Sequence, residues 1–388
     1  MTLRSVVEAS RGVFIGREKE VKLLILALIA KEHFLMVSEP GTAKTMLAET
    51  ARAFGYSTSY YLLTRDTTVT DVLADTLAVR EHGGREGVEK ISVEYEPKGF
   101  LLSEVVIVDE VFKASSDVLN AFLGLMNERR VTLGSHTFSS PLITMIGASN
   151  EYPRDDPVLA AFSDRFLIRH FVSYIPKDLW TQYFVSYWGN HRLGRRSFEV
   201  PPSVRAELED AQRHLFDVDV YGILSPYEQA LALLEDRGIK LSDRRKARTL
   251  KLVAASALYE GRSEALEEDL EALLYTAPTS PEELPTVEKA LEECVGDVVK
   301  AKREVEAFNS TLGTLLLVKD ERGVLEALAK LSSVKRKLSA LKGDRYRVME
   351  AELEKAEDVL VGRLVGGIGA EEDAEMAAEE KREMVLGR

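Results

Sequence analysis

The first part of the chain alternates short apolar runs with amphipathic segments of helical period. Five runs have the length and composition of strands, namely HFLMVS (33–38), SYYLL (59–63), EVVIVD (104–109), LITMIGAS (142–149) and FLIRHFV (166–172). Strands that alternate with helices predict a parallel sheet with helical crossovers. EVVIVD is apolar almost throughout, which is typical of a strand covered on both faces. The pattern therefore predicts an α/β domain over residues 1–172.

After residue 172 the strand pattern ends, and amphipathic helices with polar breaks follow. SPYEQALALLEDRG (225–238) is one of these segments, and together they predict a helical domain over residues 173–277. The stretch TAPTSPEELP (276–285) contains prolines at 278, 281 and 285 and predicts a linker after that domain.

The C-terminal region, residues 278–388, has a different period. Apolar positions follow one another at alternating steps of four and three, at Val287, Leu291, Cys294, Val298, Ala301, Val305, Phe308, Leu312 and Leu315. Such a heptad seam indicates a helix that packs along its length against a partner helix. The polar stretch KDERG (319–323) can turn the chain, and a second helical pattern runs from about 324 to 364. We therefore predict a long antiparallel helical hairpin, followed by an acidic tail.

Composition indicates the class of protein and its compartment. The 388 residues are 45% hydrophobic and 30% charged, which indicates a globular chain with room for two or three domains. The one cysteine, Cys294, cannot form an internal disulfide, which fits a cytoplasmic location. We expect no signal peptide in the polar segment MTLRSVVEASRG, and LLILALIA (23–30) is too short to span a bilayer. The formal net charge of −13 disfavours a nucleic-acid-coating protein, while contact of VLVGRLVGGIG (359–369) with a membrane surface stays open.

Residues 38–45, SEPGTAKT, match the phosphate-loop pattern G-x-x-x-x-G-K-[ST] except at its two glycines. Ser38 and Ala43 occupy the glycine positions, and Gly41 lies between them. The loop follows a predicted strand and precedes a predicted helix, TMLAETARAFG, whose N-terminal N–H groups would face a bound anion. Lys44 would then contact the β- and γ-phosphates, and Thr45 would coordinate Mg²⁺. An ordinary loop–helix junction is the alternative.

Polar side chains also follow two other predicted strands. EVVIVDE ends in Asp109 and Glu110, and LITMIGAS is followed by Asn150. Carboxylates at the carboxyl edge of a parallel sheet face the ligand crevice, so Asp109 is a candidate to hold Mg²⁺ through water and Glu110 to polarise the attacking water. Asn150 could bind both that water and a γ-phosphate oxygen. The alternatives are a helix cap for the carboxylates and a turn-forming role for Asn150.

Two basic positions complete the candidate set. Arg165, in FSDRF (162–166), carries the planar donor group that stabilises charge on a transferring phosphate, unless it forms a surface salt bridge with Asp164. Arg244 and Arg245 begin a predicted helix in LSDRRKARTLKL (241–252), where basic residues oppose the helix dipole and an anionic partner is favoured. A solvated basic turn is the alternative.

In this order the motifs resemble those of the AAA+ ATPases, and among these the MoxR family, close to its RavA-like members. The resemblance covers roughly residues 1–275 and includes NERRVTLGSHTFSSP (127–141), which looks like the segment that leads into the hairpin before sensor 1. TLAVREHGGREGVEKISVEYEPKG (76–99) looks like the helix-2 insert hairpin of this clade, or else is a plain surface hairpin. Members often carry Ala before the loop lysine, whereas Ser38 departs from the usual glycine.

The resemblance implies an αβα core, a helical lid and a role for each site residue. The loop that holds the nucleotide would be Glu39, Pro40, Gly41, Thr42, Ala43, Lys44 and Thr45. Asp109 and Glu110 match Walker B, Asn150 matches sensor 1 and Arg165 matches the arginine finger. Arg244 takes the sensor 2 position with Arg245 as its rival, and FIGREKEV (14–21), with Ile15 and Gly16, is similar to the segment beside the adenine.

The resemblance also implies an activity: hydrolysis of ATP to ADP and phosphate with Mg²⁺, in a homo-hexameric ring where Arg165 completes a neighbour's site. Hydrolysis would shift the lid against the core and do work on a protein complex, as a chaperone or remodelling factor. Family members commonly work beside a von Willebrand factor A-domain partner. Three alternatives remain: a nucleic-acid motor or loader, a chelatase-like metal-insertion motor, and a nucleotide-sensing scaffold without turnover.

Overall fold

The computed structural model describes residues 3–10, 13–39, 44–82, 89–150, 152, 156–193, 198, 200–317, 321–339 and 353–362. The strands in these ranges are β1 (Phe34–Ser38), β2 (Thr58–Leu62), β3 (Ala74–His82), β4 (Glu89–Pro97), β5 (Val105–Asp109), β6 (Arg130–Leu133), β7 (His136–Ser139), β8 (Thr144–Ser149) and β9 (Ile168–Val172). The helices are α1 (Leu3–Ser10), α2 (Glu18–Ala30), α3 (Lys44–Ala53), α4 (Val69–Leu73), α5 (Gly99–Leu102), α6 (Ser116–Glu128), α7 (Pro157–Ser163), α8 (Trp180–Leu193), α9 (Ser203–His214), α10 (Leu224–Asp236), α11 (Asp243–Tyr259), α12 (Leu273–Thr276), α13 (Leu284–Val295), α14 (Val298–Leu317), α15 (Glu321–Ser339) and α16 (353–362).

The five predicted strands form one parallel sheet in the order β2-β5-β8-β1-β9. Helices cover both of its faces, because alternate residues of each strand lie in different cores. Phe34 and Met36 of β1 are buried beside α2 and α3, whereas Leu35 is buried on the other face beside α6. This confirms the predicted α/β fold, in which strands covered on both faces are apolar throughout.

Glycine is needed at one point of this sheet. A Cβ on Gly147 of β8 would lie 2.8 Å from the ring of Phe166 and 3.3 Å from Leu35. Glycine therefore permits the close approach of Phe166 to the strand that leads to Asn150.

Two antiparallel hairpins extend from the sheet. β3 and β4 form the hairpin expected over 76–99, whose centre at 83–88 lies outside the described residues. β6 and β7 form the second hairpin, directly after α6 and before β8, as expected from NERRVTLGSHTFSSP.

The helices after β9 form a lid region that packs against the core along α2. Within this region the predicted linker at 276–285 is a packed connection, because Thr276, Ala277 and Ser280 are all buried. Its prolines lie where they do not disrupt a helix: Pro281 opens a short 3₁₀ turn and Pro285 occupies the first turn of α13.

The predicted seam is not one helix. α13 ends at Val295 and α14 begins at Val298, because Gly296 between them has φ +67° and ψ −155°, a conformation that other residues avoid. Val287 and Leu291 before the break pack in the core that includes the lid helices. The prediction that one helix carries the whole seam is therefore wrong, since the spacing of apolar residues does not show the effect of a glycine between them.

Beyond the break, α14 and α15 pack against each other as a helical hairpin. The second helix expected over 324–364 is divided, because Lys335 of α15 binds Glu357 of α16, 22 residues further on, so the segment folds back on itself. The three helices share a small core of Ala301, Val305, Phe308, Val324, Ala327, Leu331, Leu353, Ala356 and Leu360. None of the helices in the described part of the chain is long and apolar enough to cross a membrane.

Candidate active site

The carboxyl ends of β1, β5 and β8 bring three of the predicted motifs to one edge of the sheet. The three strands are neighbours, and their register pairs Val37 with Ser149 and Val108 with Gly147. Glu39 follows β1 and Lys44 begins α3, so the predicted phosphate loop joins a strand to a helix N-terminus. The predicted contacts of Pro40, Gly41, Thr42 and Ala43, and of the Lys44 and Thr45 side chains, lie outside the described residues.

Ser38, at the first glycine position of the motif, is buried at the start of this loop. Its side chain is 3% exposed, and its hydroxyl oxygen has no hydrogen-bond partner among the residues that the structure describes. A buried hydroxyl without a partner loses its hydration and gains nothing in return. The position therefore has unused hydrogen-bonding capacity beside the loop.

Asp109 ends β5 with both carboxylate oxygens bound. Its Oδ1 accepts a hydrogen bond from the backbone N–H of Glu110 at 3.0 Å, and its Oδ2 accepts one from the Tyr60 hydroxyl at 2.8 Å. Partial burial, together with this bond to Asp109, raises the pKa of Tyr60 to about 12. The sequence gives no indication of a role for Tyr60, because its strand becomes the neighbour of β5 only in the folded sheet.

Glu110 has a strained backbone and a bound side chain. Its φ of +55° and ψ of +43° lie in the left-handed region, which costs a residue with a Cβ about 1–2 kcal/mol. Oε1 accepts a hydrogen bond from Asn150 Nδ2 at 3.0 Å, and Lys113 Nζ lies 3.5 Å from Oε2. The carboxylate makes no capping bond to the 3₁₀ turn that follows it. Glu110 and Asn150, 40 residues apart in sequence, are thus brought together as the motif order predicts.

Arg165 lies just before β9 and does not form the salt bridge with Asp164 that was the alternative to a catalytic role. Oδ1 of Asp164 is instead 3.2 Å from Arg245 Nη1 and 3.4 Å from Arg169 Nη2. The Nε of Arg165 is buried and has no hydrogen-bond partner within the described part of the chain. The described residues therefore assign no partner to this donor.

Arg244 and Arg245 have opposite environments. Arg245 is 4% exposed, and its guanidinium donates to the carbonyls of Asp164, Phe166 and Leu167 in the core and of Thr276 in the lid. Burial and the neighbouring Arg169 lower the pKa of Arg245 to about 9, so it stays charged at neutral pH. Arg244 is exposed at the N-terminus of α11. Arg245 therefore fastens the lid to the core, and Arg244 is the one that can reach a ligand.

Ile15 and Gly16 lie where the N-terminal segment meets the start of the lid region. Ile15 is buried, and Gly16 has φ +68°. A Cβ on Gly16 would lie 3.0 Å from Leu179 and 3.7 Å from Ile175, so glycine permits the close approach. The segment expected beside the adenine thus packs against the connection that joins β9 to α8.

The donors at this edge fit a hydrated divalent cation and a phosphate chain. Asp109 and Glu110 supply the hard carboxylate oxygens that Mg²⁺ prefers, and the buried hydroxyl of Ser38 lies at the end of the strand that leads into the predicted phosphate loop. The chemistry of these side chains therefore suits a magnesium–nucleotide complex.

Two family models match consecutive parts of the chain. A family model described as the MoxR domain in the MoxR-vWA-beta-propeller ternary systems matches residues 1–208, and a model of an AAA lid domain matches residues 219–291. An uncharacterised protein of Methanocaldococcus jannaschii is 30% identical over 379 residues, which cover 92% of this chain and 95% of that protein. Chaperone MoxR1 of Mycobacterium tuberculosis is 30% identical over 175 residues, 44% of each chain.

One solved structure shares the fold. A Cytophaga hutchinsonii protein described as a candidate ATPase superimposes with a TM-score of 0.56 at 17% identity, over 74% of this chain and 93% of its own. Because the MoxR family model matches more than half of the sequence and a AAA lid model matches the region after it, this chain belongs to the MoxR family of AAA+ ATPases.

Proposed function

We propose that this chain hydrolyses Mg-ATP within a homo-oligomeric ring, with six subunits as the expected number, and uses the energy as a chaperone or remodelling factor for a protein complex. The observation that carries the proposal is the contact between Glu110 and Asn150 at the carboxyl edge of the sheet. It joins a candidate general base to a candidate phosphate sensor beside the strand that leads into the phosphate loop. Family membership supports nucleotide binding at this edge.

The binding roles follow from the chemistry of the side chains. Lys44 and the N–H groups at the start of α3 would hold the phosphates, Thr45 and Asp109 would hold the metal, and Ile15 and Gly16 would lie beside the adenine. When bound, Mg²⁺ would offset the negative charge of the phosphates. Arg244, exposed at the N-terminus of α11, would add a positive charge from the lid.

The hydrolytic step assigns separate roles to Glu110 and Asn150. Glu110 would accept a proton from the water that attacks the γ-phosphorus, and ADP and phosphate would leave. In the described arrangement Glu110 is held by Asn150 at 3.0 Å and lies 3.5 Å from Lys113.

Arg165 would act in a neighbouring subunit's site. Its buried Nε has no partner in the described part of its own chain, and Asp164 is already occupied by Arg245 and Arg169. An arginine supplied in trans contributes about 10³–10⁵ in rate in related phosphoryl-transfer systems. A monomer would therefore hydrolyse ATP slowly and a ring would hydrolyse it quickly.

The partner we propose is a protein with a von Willebrand factor A domain. The matching family model is described from systems that combine a MoxR domain with a vWA protein and a β-propeller. Motion between subunits, driven by hydrolysis, would act on the complex that this partner recruits.

Mixing two inactive variants tests the proposal. Arg165→Ala keeps its own Glu110, and Glu110→Gln keeps its Arg165, so each is expected to lose at least about 10³-fold in ATPase rate alone. In an equal mixture, about a quarter of the sites would combine an intact Glu110 with a neighbour's intact Arg165 and recover activity. A mixture no more active than its two components would refute an arginine finger in trans, and full activity of Glu110→Gln alone would refute the hydrolytic assignment.

A further inference from the structure

The hydroxyl of Tyr60 is bound to the carboxylate that we propose for the metal. Tyr60 lies on β2, the edge strand of the sheet, and its side chain is 41% exposed. Its hydroxyl donates to Oδ2 of Asp109 over 2.8 Å. The contact joins residues 49 positions apart in sequence, so it arises from the sheet topology and not from local structure.

The strand register explains how Tyr60 reaches this position. β2 runs parallel to β5, with Tyr60 opposite Ile107 and Leu62 opposite Asp109. Tyr60 therefore starts two residues behind Asp109 and needs a long side chain that ends in a donor to reach the carboxylate. Phenylalanine would fill the same space without the bond, and serine or threonine would be too short.

The two bonds to Asp109 fix its carboxylate plane. Oδ1 is held by the backbone N–H of Glu110 and Oδ2 by Tyr60, so rotation of the carboxylate would break at least one of them. A phenol hydroxyl is protonated at neutral pH, so Tyr60 is the donor in this bond. A hydrogen bond to an ionised acceptor is stronger than a neutral one.

We propose that Tyr60 is a positioning residue for the metal site: it holds Asp109 in the orientation that receives the magnesium–nucleotide complex and so sets the affinity for Mg²⁺. The inference rests on the proposed function. A simpler alternative is that Tyr60 is present only because aromatic residues favour edge strands.

Tyr61 provides a matched control for this alternative. It is the next residue of the same strand and has the same side chain, but it packs against the core on the α6 face. Tyr61→Phe and Tyr60→Phe therefore remove the same hydroxyl from the same strand, and only Tyr60→Phe removes it from Asp109.

The experiment measures the dissociation constant of a fluorescent ADP analogue with Mg²⁺ and with EDTA. The dissociation constant in EDTA divided by the dissociation constant with Mg²⁺ reports how much the metal strengthens binding. For Tyr60→Phe we expect this ratio to fall by about 5- to 10-fold, as for loss of a partly exposed hydrogen bond to a charged group. The constant in EDTA should stay within about twofold, and Tyr61→Phe should match the wild type in both conditions.

A double-mutant cycle with Asp109→Asn shows whether Tyr60 acts through the carboxylate. In the Asp109→Asn background, Tyr60→Phe should change the ratio no further. An unchanged ratio in Tyr60→Phe, or an equal loss with Mg²⁺ and with EDTA, would overturn the positioning role alone. A wild-type chain that binds no nucleotide under either condition would instead overturn the proposed function, so the two failures are distinguishable.

Discussion

Replacing Arg245 with methionine, and Arg244 with methionine in a separate variant, tests the division of roles within the arginine pair. Both substitutions keep a long, flexible side chain on α11 and remove one positive charge. Arg245 is 4% exposed and Arg244 is exposed, so the two changes remove the same charge from opposite environments.

The expected loss for Arg245→Met follows from its contacts. The substitution removes donors from the carbonyls of Phe166 and Leu167 in the core and of Thr276 in the lid. It also takes one of two cationic partners from Asp164. Breaking a buried charged network by removing one member costs about 3–5 kcal/mol. Arg244→Met should change the unfolding free energy by no more than about 0.5 kcal/mol, as for other exposed positions.

Urea unfolding of the nucleotide-free protein measures this difference, and amide hydrogen exchange shows where it arises. Exchange should accelerate in Arg245→Met at β9 and at α12, whose ends Arg245 joins. A fluorescent ADP analogue measures the second role: Arg244→Met should lose affinity for nucleotide while its stability is unchanged. Equal stability of Arg245→Met and the wild type would refute the fastening role, and an equal loss of stability in both variants would refute the division between them.

Two further predictions concern buried polar groups. Ser38→Ala should stabilise the nucleotide-free protein by about 1 kcal/mol in urea unfolding, because it removes a buried hydroxyl that has no partner among the described residues; a destabilised variant would contradict this. Burial alone would raise the pKa of Glu271, but the ammonium of Lys22, 3.1 Å away, outweighs it and lowers the pKa. A carboxylate with a lowered folded-state pKa stabilises the protein above its unfolded pKa of 4.5 and loses that contribution as the pH falls towards the folded value. The melting temperature should therefore fall less steeply below about pH 4.5 in Glu271→Gln than in the wild type. An identical decrease of the melting temperature in both proteins would refute the assignment.

The strands were predictable from the sequence, and their order was not. EVVIVD and LITMIGAS could be predicted as strands because strands that are buried on both faces consist largely of apolar residues, and the sequence shows these residues directly. No residue pattern indicates that β2 and β5 are neighbours, since the order of the strands depends on how the crossover connections pack. Tyr60 could therefore not be linked to Asp109 from the sequence alone.

The helical spacing of buried positions in α11 could have distinguished Arg245 from Arg244 in the sequence. Arg245, Thr249 and Leu252 are spaced at i, i+4 and i+7 and are all buried, so Arg245 lies on the inward stripe of the helix. Arg244 is one residue away and turns outward. The helical period alone therefore predicts that Arg245 is buried and Arg244 is exposed. The carbonyls that bind the buried guanidinium could not be predicted, because they belong to residues about 80 positions earlier.

The contacts along α2 constrain how hydrolysis can move the lid. Glu32, just after α2, is 2% exposed at its side chain and is bound by Arg248 and Lys251 of α11. Lys22 of α2 is bound by Glu271 in the lid and by Glu306 of α14, at 3.1 and 2.8 Å. A lid that swung away from α2 would have to separate these pairs and expose the apolar surface between α2 and α11, and separating a buried ion pair is costly. The same pairs resist any displacement of α14 from the core. These pairs favour movement of core, lid and α14 as one body, against the expectation that the lid shifts on the core. Under the proposed function, motion between subunits would then be the step through which hydrolysis does work.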